Sequence, residues 1–382
     1  MSKHLYIFNE SDSNAGGYGV GTYINTLIHS GINQLFDQMT IVSVMTNALI
    51  VEVIYDGKIR KINIPKLFPP TASRKNYFQS IFYILYPLIE KNEINYFHFN
   101  FFPHGRLARK LKENIEDAKF ILTIHYFNEY EFLETGANID IANSLYDKII
   151  VLNDTTRGIL QNKYSAKTKN LIKILNGIKD EYSLINDKKR IEIIKEFGLL
   201  EDQIQLLFVG RLDENKNVSL LIKSFIKLCS IYENINLNIV GSGSYDMAFN
   251  AIDSLWGKIT FLGKLEKESV YKLYQITDIG IIPSIYEELG YVAIEMMMHG
   301  IPVVANNTGG LRDIIRDGET GMLLKITDSK NENSVELYKK IQCLIENKRI
   351  RAKMGSKGRE FYLKNLTDEI YVEKMANLYL SL

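Results

Sequence analysis

The chain alternates short apolar runs with amphipathic segments and with loops rich in glycine and polar residues. Runs such as Phe120 to Ile124 and Gln205 to Val209 are short and largely apolar, as expected of parallel strands buried on both faces. Segments such as Asp187 to Phe197 and Asp368 to Leu380 instead repeat apolar residues at helical spacing. Because this alternation recurs in both halves, it predicts an α/β fold with two doubly wound sheets.

Residues 279–305 show the alternation most clearly, as strand, loop, helix and strand. The first apolar run ends at Pro283, and a helix is predicted from Gly290 to His299, where Gly300 stops it. A helix N-terminus carries unpaired N–H groups and about half a positive charge, so a glycine there lets an anion approach the backbone. The segment therefore predicts an anion site.

Two carboxylates flank this point, Glu287 in the loop and Glu295 in the helix. Glu295 comes five residues after Gly290, which places it about 7.5 Å farther along the helix axis. That distance suits the phosphate and the ribose of one nucleotide diphosphate. Paired glutamates alone are more often solvated surface groups, so the prediction depends on the surrounding pattern.

The two glutamates, separated by seven residues, resemble the signature of the retaining glycosyltransferases of the large bacterial group 1 (family 4). That family usually has Glu-Pro-Phe-Gly-Leu-Val before its second glutamate, and this chain keeps the glycine and the spacing but not the Pro, Phe or Leu. Because Glu287 lies in the loop before the helix, on the side where the transferred sugar must lie, we expect it to act on that sugar. The resemblance implies a donor-binding set: Leu289, Gly290, Tyr291, Val292 and Glu295. Other matching positions are Gly300, Pro302, Val303, Val304, Gly309, Gly310, Asp317, Gly318 and Gly321.

Basic residues follow the strand that ends at Val209. Open α/β sheets bind ligands beyond the carboxyl ends of their strands, so cations there can face an anion, although a solvated turn is the alternative. The resemblance implies that Arg211 and Lys216 grip the pyrophosphate. It also puts the nucleotide base against the turn that contains Leu265.

A glycine cluster follows the first strand, Leu5 to Phe8. It lacks the lysine of a Walker loop and the spacing of a dinucleotide fingerprint, and a flexible turn is the alternative for its later glycines. In the resembling family a Gly-Gly loop faces the donor phosphates here, and Gly16 and Gly17 match it.

His125 ends the buried strand Phe120 to Ile124 and matches the histidine that family members place beside the donor sugar. A lone histidine is otherwise more often structural. The polar segment after it carries Asn128 and Glu129, which we interpret as candidate acceptor-facing residues.

A chain of 382 residues exceeds one ordinary core and predicts two domains. The boundary is placed after Asn176-Gly177-Ile178, which resembles the family's hinge. The resemblance implies the GT-B fold, in which two Rossmann-like domains face a central cleft. We expect an acceptor-side domain at 1–178, a nucleotide-sugar-binding domain at 179–365, and a C-terminal helix at 366–382 that crosses back to the first domain.

Composition removes several classes of function. Forty-six basic and forty-five acidic residues give a formal net charge of +1, which provides no overall field for nucleic acid. Cys229 and Cys343 lack metal-ligand spacing and predict reduced thiols in a cytoplasmic protein. No secretion signal or membrane-spanning run is visible.

Two predicted helices in the first half of the chain are candidates for peripheral contact with the inner face of the cell membrane. Aromatic residues recur in the segment 74–90 and basic residues in the segment 106–112. An aromatic stripe on a helix is more often part of the core, and a basic run is more often a solvated surface.

No Asp-x-Asp pair and no His/Cys cluster is present, so we expect neither a metal nor another cofactor. The prediction is a metal-independent, retaining, hexosyltransferase-like enzyme. It would move sugar from a UDP-sugar, favoured over a GDP-sugar, to a glycan, lipid-linked or peptide acceptor. The alternatives are a catalytically silent GT-B partner subunit that binds nucleotide sugar, and a GT-B epimerase or phosphorylase.

Overall fold

The structure, a computed structural model, describes part of the chain. The described residues are 2–10, 19–29, 31–66, 74–91, 93–100, 105–128, 132–133, 138, 140, 145–164, 168–244 and 257–382. The chain divides into two compact units, Met1–Lys179 with Asp368–Leu382, and Asp180–Thr367.

The described part of the first unit contains an eight-stranded sheet in which all strands are parallel except β3 at one edge. The strands are β1 Lys3–Glu10, β2 Gln38–Thr46, β3 Glu52–Asp56, β4 Ile59–Pro65, β5 Ile94–Phe99, β6 Lys119–Ile124, β7 Lys148–Val151 and β8 Leu171–Lys173. Their spatial order is β3-β4-β2-β1-β5-β6-β7-β8. The order therefore reverses direction between β1 and β5.

Helices cover both faces of this sheet, which explains the apolar strands. Among the described residues that precede the second unit, the α-helices are α1 Gly19–His29, α2 Arg74–Leu85, α3 Gly105–Asn114 and α4 Asp154–Asn162. Along β1, Leu5 and Ile7 pack in one buried cluster, whereas Tyr6 and Phe8 pack in another. This period of two is what a strand covered on both faces requires.

The second unit contains a six-stranded parallel sheet within its described residues. Its strands are β9 Ile204–Val209, β10 Ile235–Val240, β11 Ile259–Gly263, β12 Ile279–Ile282, β13 Val303–Asn306 and β14 Gly321–Leu324. Their order, β11-β10-β9-β12-β13-β14, is 3-2-1-4-5-6 when the strands are counted within the unit. This is the Rossmann order, and it reverses between β9 and β12.

The helices of the second unit pack against this sheet and against one another. Those outside the undescribed segment 245–256 are α5 Asp187–Glu196, α6 Val218–Cys229, α7 Lys267–Ile276, α8 Tyr291–Met298, α9 Gly309–Ile314, α10 Lys330–Glu346 and α11 Lys348–Asn365. The central residues of α8, Ala293, Ile294 and Met296 to Met298, are all buried. Glu295 is therefore set among apolar neighbours.

The last helix, α12 Asp368–Leu380, belongs to the first unit. Its residues Tyr371, Met375, Leu378 and Tyr379 are buried in the same cluster as α1 and one face of β1. The Tyr379 hydroxyl lies 2.6 Å from Nδ1 of the buried His98 on β5. This polar contact supplements the apolar packing that holds α12 on the sheet.

The aromatic residues of α2 are mostly core residues. Phe78 and Phe82 are buried, Tyr77 packs against the same cluster, and Tyr83 is 61% exposed. On α3, Arg109 forms an ion pair with Asp140. Among the described residues, no helix is long and apolar enough to cross a membrane. Peripheral membrane contact stays a prediction.

Candidate active site

Two loops of the second unit meet where its strand order reverses. One loop follows β9 and spans residues 210–217, and the other follows β12 and spans residues 283–290. Because β9 and β12 are parallel neighbours, both loops leave the sheet at the same edge. This is the position at which doubly wound sheets bind ligands.

Asn215 ties the two loops together. Its backbone carbonyl accepts from the Ile285 N–H at 2.7 Å. Its side chain donates to the Tyr286 carbonyl at 3.0 Å and accepts from the Tyr286 N–H at 3.2 Å. Three hydrogen bonds from one residue fix the relative position of the loops. This role is not visible in the sequence, because a loop asparagine gives no sign of a partner about 70 residues away.

This arrangement brings the predicted residues Lys216 and Glu287 together. Lys216 Nζ forms an ion pair with Glu287 Oε1, and the Ser284 hydroxyl donates to the same oxygen at 2.7 Å. The side chains of Lys216 and Glu287 are only 19% and 17% exposed. Salt therefore screens this pair less than a pair on the open surface.

Arg211 lies beside the pair in sequence but has a different environment. Its side chain is 64% exposed, and its Nη2 lies 3.1 Å from Asp213 Oδ2. Asp213 also accepts the backbone N–H of Lys216 at 3.0 Å through Oδ1. The exposed guanidinium has donors that suit a diphosphate.

Gly290 begins the helix α8 with a backbone conformation that favours glycine. Its φ is 92°, and no side chain caps the helix. A Cβ at Gly290 would also lie 2.7 Å from Leu311 Cδ2. Of the other predicted donor-binding residues, Leu289 is buried, and Tyr291 and Val292 are partly exposed in the first turn. The positive end of the helix dipole thus lies beside the loop of Glu287.

Gly309 and Gly310 allow a second backbone to approach this loop. The Gly310 N–H donates to the Glu287 carbonyl at 2.8 Å. A Cβ at Gly310 would lie 2.5 Å from the Glu288 carbonyl oxygen, and one at Gly309 would lie 2.0 Å from that of Glu287. Any larger residue would push α9 away from the loop.

Glu295 lies in a poorly hydrated environment farther along α8. Desolvation by burial raises the pKa of its carboxyl from 4.5 to about 7, while the Tyr274 hydroxyl, which donates to Oε2 at 2.8 Å, lowers it. The positive charge of Lys267 also lowers this pKa, and the negative charge of Glu181 raises it. Glu295 is therefore a carboxyl group that changes charge near neutral pH.

The predicted base-binding turn lies at the same edge of the sheet. Leu265 is partly exposed, two residues after Gly263. The Gly263 carbonyl accepts the Gly241 N–H at 2.8 Å, and a Cβ at Gly241 would lie 1.7 Å from the Gly210 carbonyl oxygen. The loops after β9, β10 and β11 therefore touch one another.

In the first unit, His125 follows β6 and is partly exposed. Its Nε2 lies 2.9 Å from Asn100 Oδ1, and burial lowers the pKa of its ring from 6.5 to about 3. Asn128 is partly exposed, and its carbonyl accepts the Phe132 N–H at 2.9 Å. The predicted residues Gly16, Gly17 and Glu129 lie outside the described residues.

The described residues contain no group of three or more His, Cys, Asp or Glu side chains that could hold a metal ion. The cationic groups beside the switch point of the second unit are Arg211 and Lys216 together with the start of α8. These groups suit an anionic ligand such as a diphosphate.

Two Rossmann-like units with parallel sheets place the chain in the fold class of the GT-B glycosyltransferases. A sucrose-phosphate synthase from Thermosynechococcus elongatus has this fold, with a TM-score of 0.81 and 19% identity over 100% of this chain and 99% of that one. The Anabaena protein HepE, solved with UDP and glucose, has a TM-score of 0.74 and 16% identity over 99% of each chain.

Residues 189–361 match the model for glycosyl transferases group 1, so the chain is similar to that family over this region. An uncharacterized glycosyltransferase of Methanocaldococcus jannaschii is 31% identical over 214 residues, which are 54% of this chain and 50% of the relative. The chain thus matches about half the length of that relative.

Proposed function

We propose that the protein is a retaining glycosyltransferase that uses a nucleotide-sugar donor and no divalent metal. A UDP-sugar is favoured over a GDP-sugar, and the acceptor is a glycan, a lipid-linked molecule or a peptide. The observation that carries the proposal is the meeting of Lys216, Glu287 and the start of α8 at the switch point of the second sheet. Support for UDP comes from HepE, which was solved with UDP and glucose.

Departure of the nucleoside diphosphate leaves negative charge on the β-phosphate, and the protein must stabilise that charge. In this proposal Arg211 and Lys216 contribute cations, and α8 contributes its N-terminal N–H groups. Such preorganised donors stabilise developing charge without reorganising during the reaction. Because these groups can balance the charge of a diphosphate, the proposal needs no metal.

Glu287 is assigned to the sugar and Glu295 to the ribose. Glu287 Oε1 is already engaged by Lys216 and Ser284, an arrangement that suits a carboxylate that positions hydroxyls. In the internal-return path implied by the family resemblance, the leaving phosphate oxygen takes the acceptor proton on the face that the phosphate leaves. That path retains the anomeric configuration and needs no protein nucleophile.

The experiment is incubation with a panel of UDP- and GDP-sugars, with and without acceptors, while release of nucleoside diphosphate is measured. We expect release from at least one UDP-sugar, unchanged by EDTA, together with a higher melting temperature in UDP, because a ligand of the native state stabilises it. Lys216→Ala, which removes one of the proposed diphosphate-binding cations, is the matched control for release of nucleoside diphosphate. Binding of UDP without release from any donor would support the silent partner subunit instead. No binding of either nucleotide would overturn the proposal.

A further inference from the structure

Asn100 and His125 lie side by side beyond two neighbouring strands. Asn100 follows β5 and His125 follows β6, which pair in parallel with Phe99 opposite Leu122. Asn100 is only 1% exposed. Its Nδ2 donates to the Phe8 carbonyl of β1 at 2.9 Å.

The contact with Phe8 fixes which end of the Asn100 amide faces the histidine. A backbone carbonyl only accepts, so the amide NH₂ group must point at Phe8 and Oδ1 must point at His125. That Oδ1 lies 2.9 Å from His125 Nε2. Since an amide oxygen only accepts as well, Nε2 must carry a proton, and a neutral ring then leaves Nδ1 with a lone pair.

The surroundings keep the imidazole neutral and hold its plane. The ring of Tyr23 packs edge-on against His125, with centroids 4.5 Å apart. Two described titratable neighbours are also neutral at pH 7, because burial lowers the pKa of His98 to about 3 and raises that of Tyr23 to about 12. Thr123 lies within hydrogen-bond distance of both, 2.7 Å from His98 Nε2 and 3.0 Å from the Tyr23 hydroxyl.

We propose that Asn100 is a positioning residue that fixes His125 in its Nε2–H tautomer, so that Nδ1 accepts a hydrogen bond from a hydroxyl of the transferred sugar. Within the part of the chain that the structure describes, Nδ1 makes no hydrogen bond. The sugar contact rests on the proposed function, whereas the tautomer does not. An imidazolium or the opposite tautomer would present an N–H at Nδ1 and could not accept from a hydroxyl.

The tautomer can be read directly from the ring-nitrogen resonances of protein labelled with ¹⁵N-histidine. The chain has six histidines, so His125→Gln assigns the signal by its loss. We expect wild-type His125 to be the Nε2–H form between pH 5 and pH 8. In Asn100→Leu, which cannot accept from the ring, the signal should shift to a mixture of tautomers. His98 is the internal control, because the Asn100 substitution leaves its partners Thr123 and Tyr379 in place.

Asn100→Asp provides a second variant that keeps the size of the side chain. A carboxylate at this position favours the protonated ring, so the pKa of His125 should rise and turnover at pH 7 should fall about tenfold, with partial recovery at higher pH.

A wild-type Nδ1–H tautomer, or an unchanged tautomer in Asn100→Leu, would overturn the inference. Addition of UDP-glucose should shift the Nδ1 resonance, and no shift in a saturated sample would overturn the sugar contact. Absence of turnover with the expected tautomer would count against the proposed function alone.

Discussion

Binding of a nucleotide sugar should weaken about tenfold when the pH falls from 8 to 6, because Glu295 loses its charge in that range. The pKa of this carboxyl is about 7, so about nine-tenths is ionised at pH 8 and about one-tenth at pH 6. If only the ionised form of Glu295 accepts hydrogen bonds from the ribose hydroxyls, the apparent dissociation constant of the nucleotide sugar rises as the ionised fraction falls. The sign follows from the raised pKa, since a carboxyl of ordinary pKa would stay ionised throughout.

The groups that face Glu295 set the pH range in which its carboxyl changes charge. Desolvation is the main cause of the raised pKa, and the Tyr274 hydroxyl and the Lys267 charge oppose it. Glu181 adds a smaller upward effect. His299, at the end of α8, donates its backbone N–H to the Glu295 carbonyl, and burial lowers the pKa of its ring. Burial therefore disfavours a positive charge on the His299 ring beside Glu295.

The assay is calorimetry with UDP-glucose and no acceptor, at several values of pH between 5.5 and 8.5. UDP-glucose is chosen because its diphosphate is esterified at both ends and does not titrate in this range. Glu295→Gln should bind more weakly at pH 8 and lose the pH dependence. Glu287→Gln should keep both the pH dependence and most of the affinity. A flat wild-type profile, or a tenfold change that persists in Glu295→Gln, would refute the reasoning.

Two further predictions test the site and its support. Arg211→Ala and Lys216→Ala should each lower kcat by about 100-fold or more, the scale of losing one preorganised donor; near wild-type release of UDP by both variants would make these residues bystanders. Gly310→Ala should lower the free energy of unfolding by about 1–3 kcal/mol, since its Cβ would lie 2.5 Å from a backbone oxygen. Gly257→Ala meets no atom of the described residues within 4 Å and is the control; equal denaturant midpoints for the two variants would contradict the packing argument.

Much of the fold could be predicted from local patterns. The two Rossmann-like domains predicted from the alternation of strands and helices are confirmed. They could be predicted because the period of apolar residues and the glycines at helix ends are local signals. Strand order is not a local signal. The meeting of the loops after β9 and β12 depends on that order, so the Lys216–Glu287 pair could be anticipated only through the family resemblance.

The residues that support the site were harder to find. Asn215, Tyr274 and Asn100 each act through hydrogen bonds to residues that are distant in sequence. An asparagine in a loop or a tyrosine in a helix has many uses, and its sequence neighbours do not reveal its partner. The roles of the predicted site residues themselves stay predictions until binding and turnover are measured.

The opposite environments of the two glutamates give a physical reason for the proposed division of roles. Glu287 shares an ion pair with Lys216, so an incoming diphosphate must compete with that carboxylate for the lysine. Glu287→Gln removes the competitor, which is why we expect it to lower turnover while leaving affinity for UDP intact or slightly higher. Glu295 instead accepts a tyrosine hydroxyl in a desolvated site. Hydrogen bonds from ribose hydroxyls would stabilise its charged form, and removing that charge would weaken binding of the nucleotide itself.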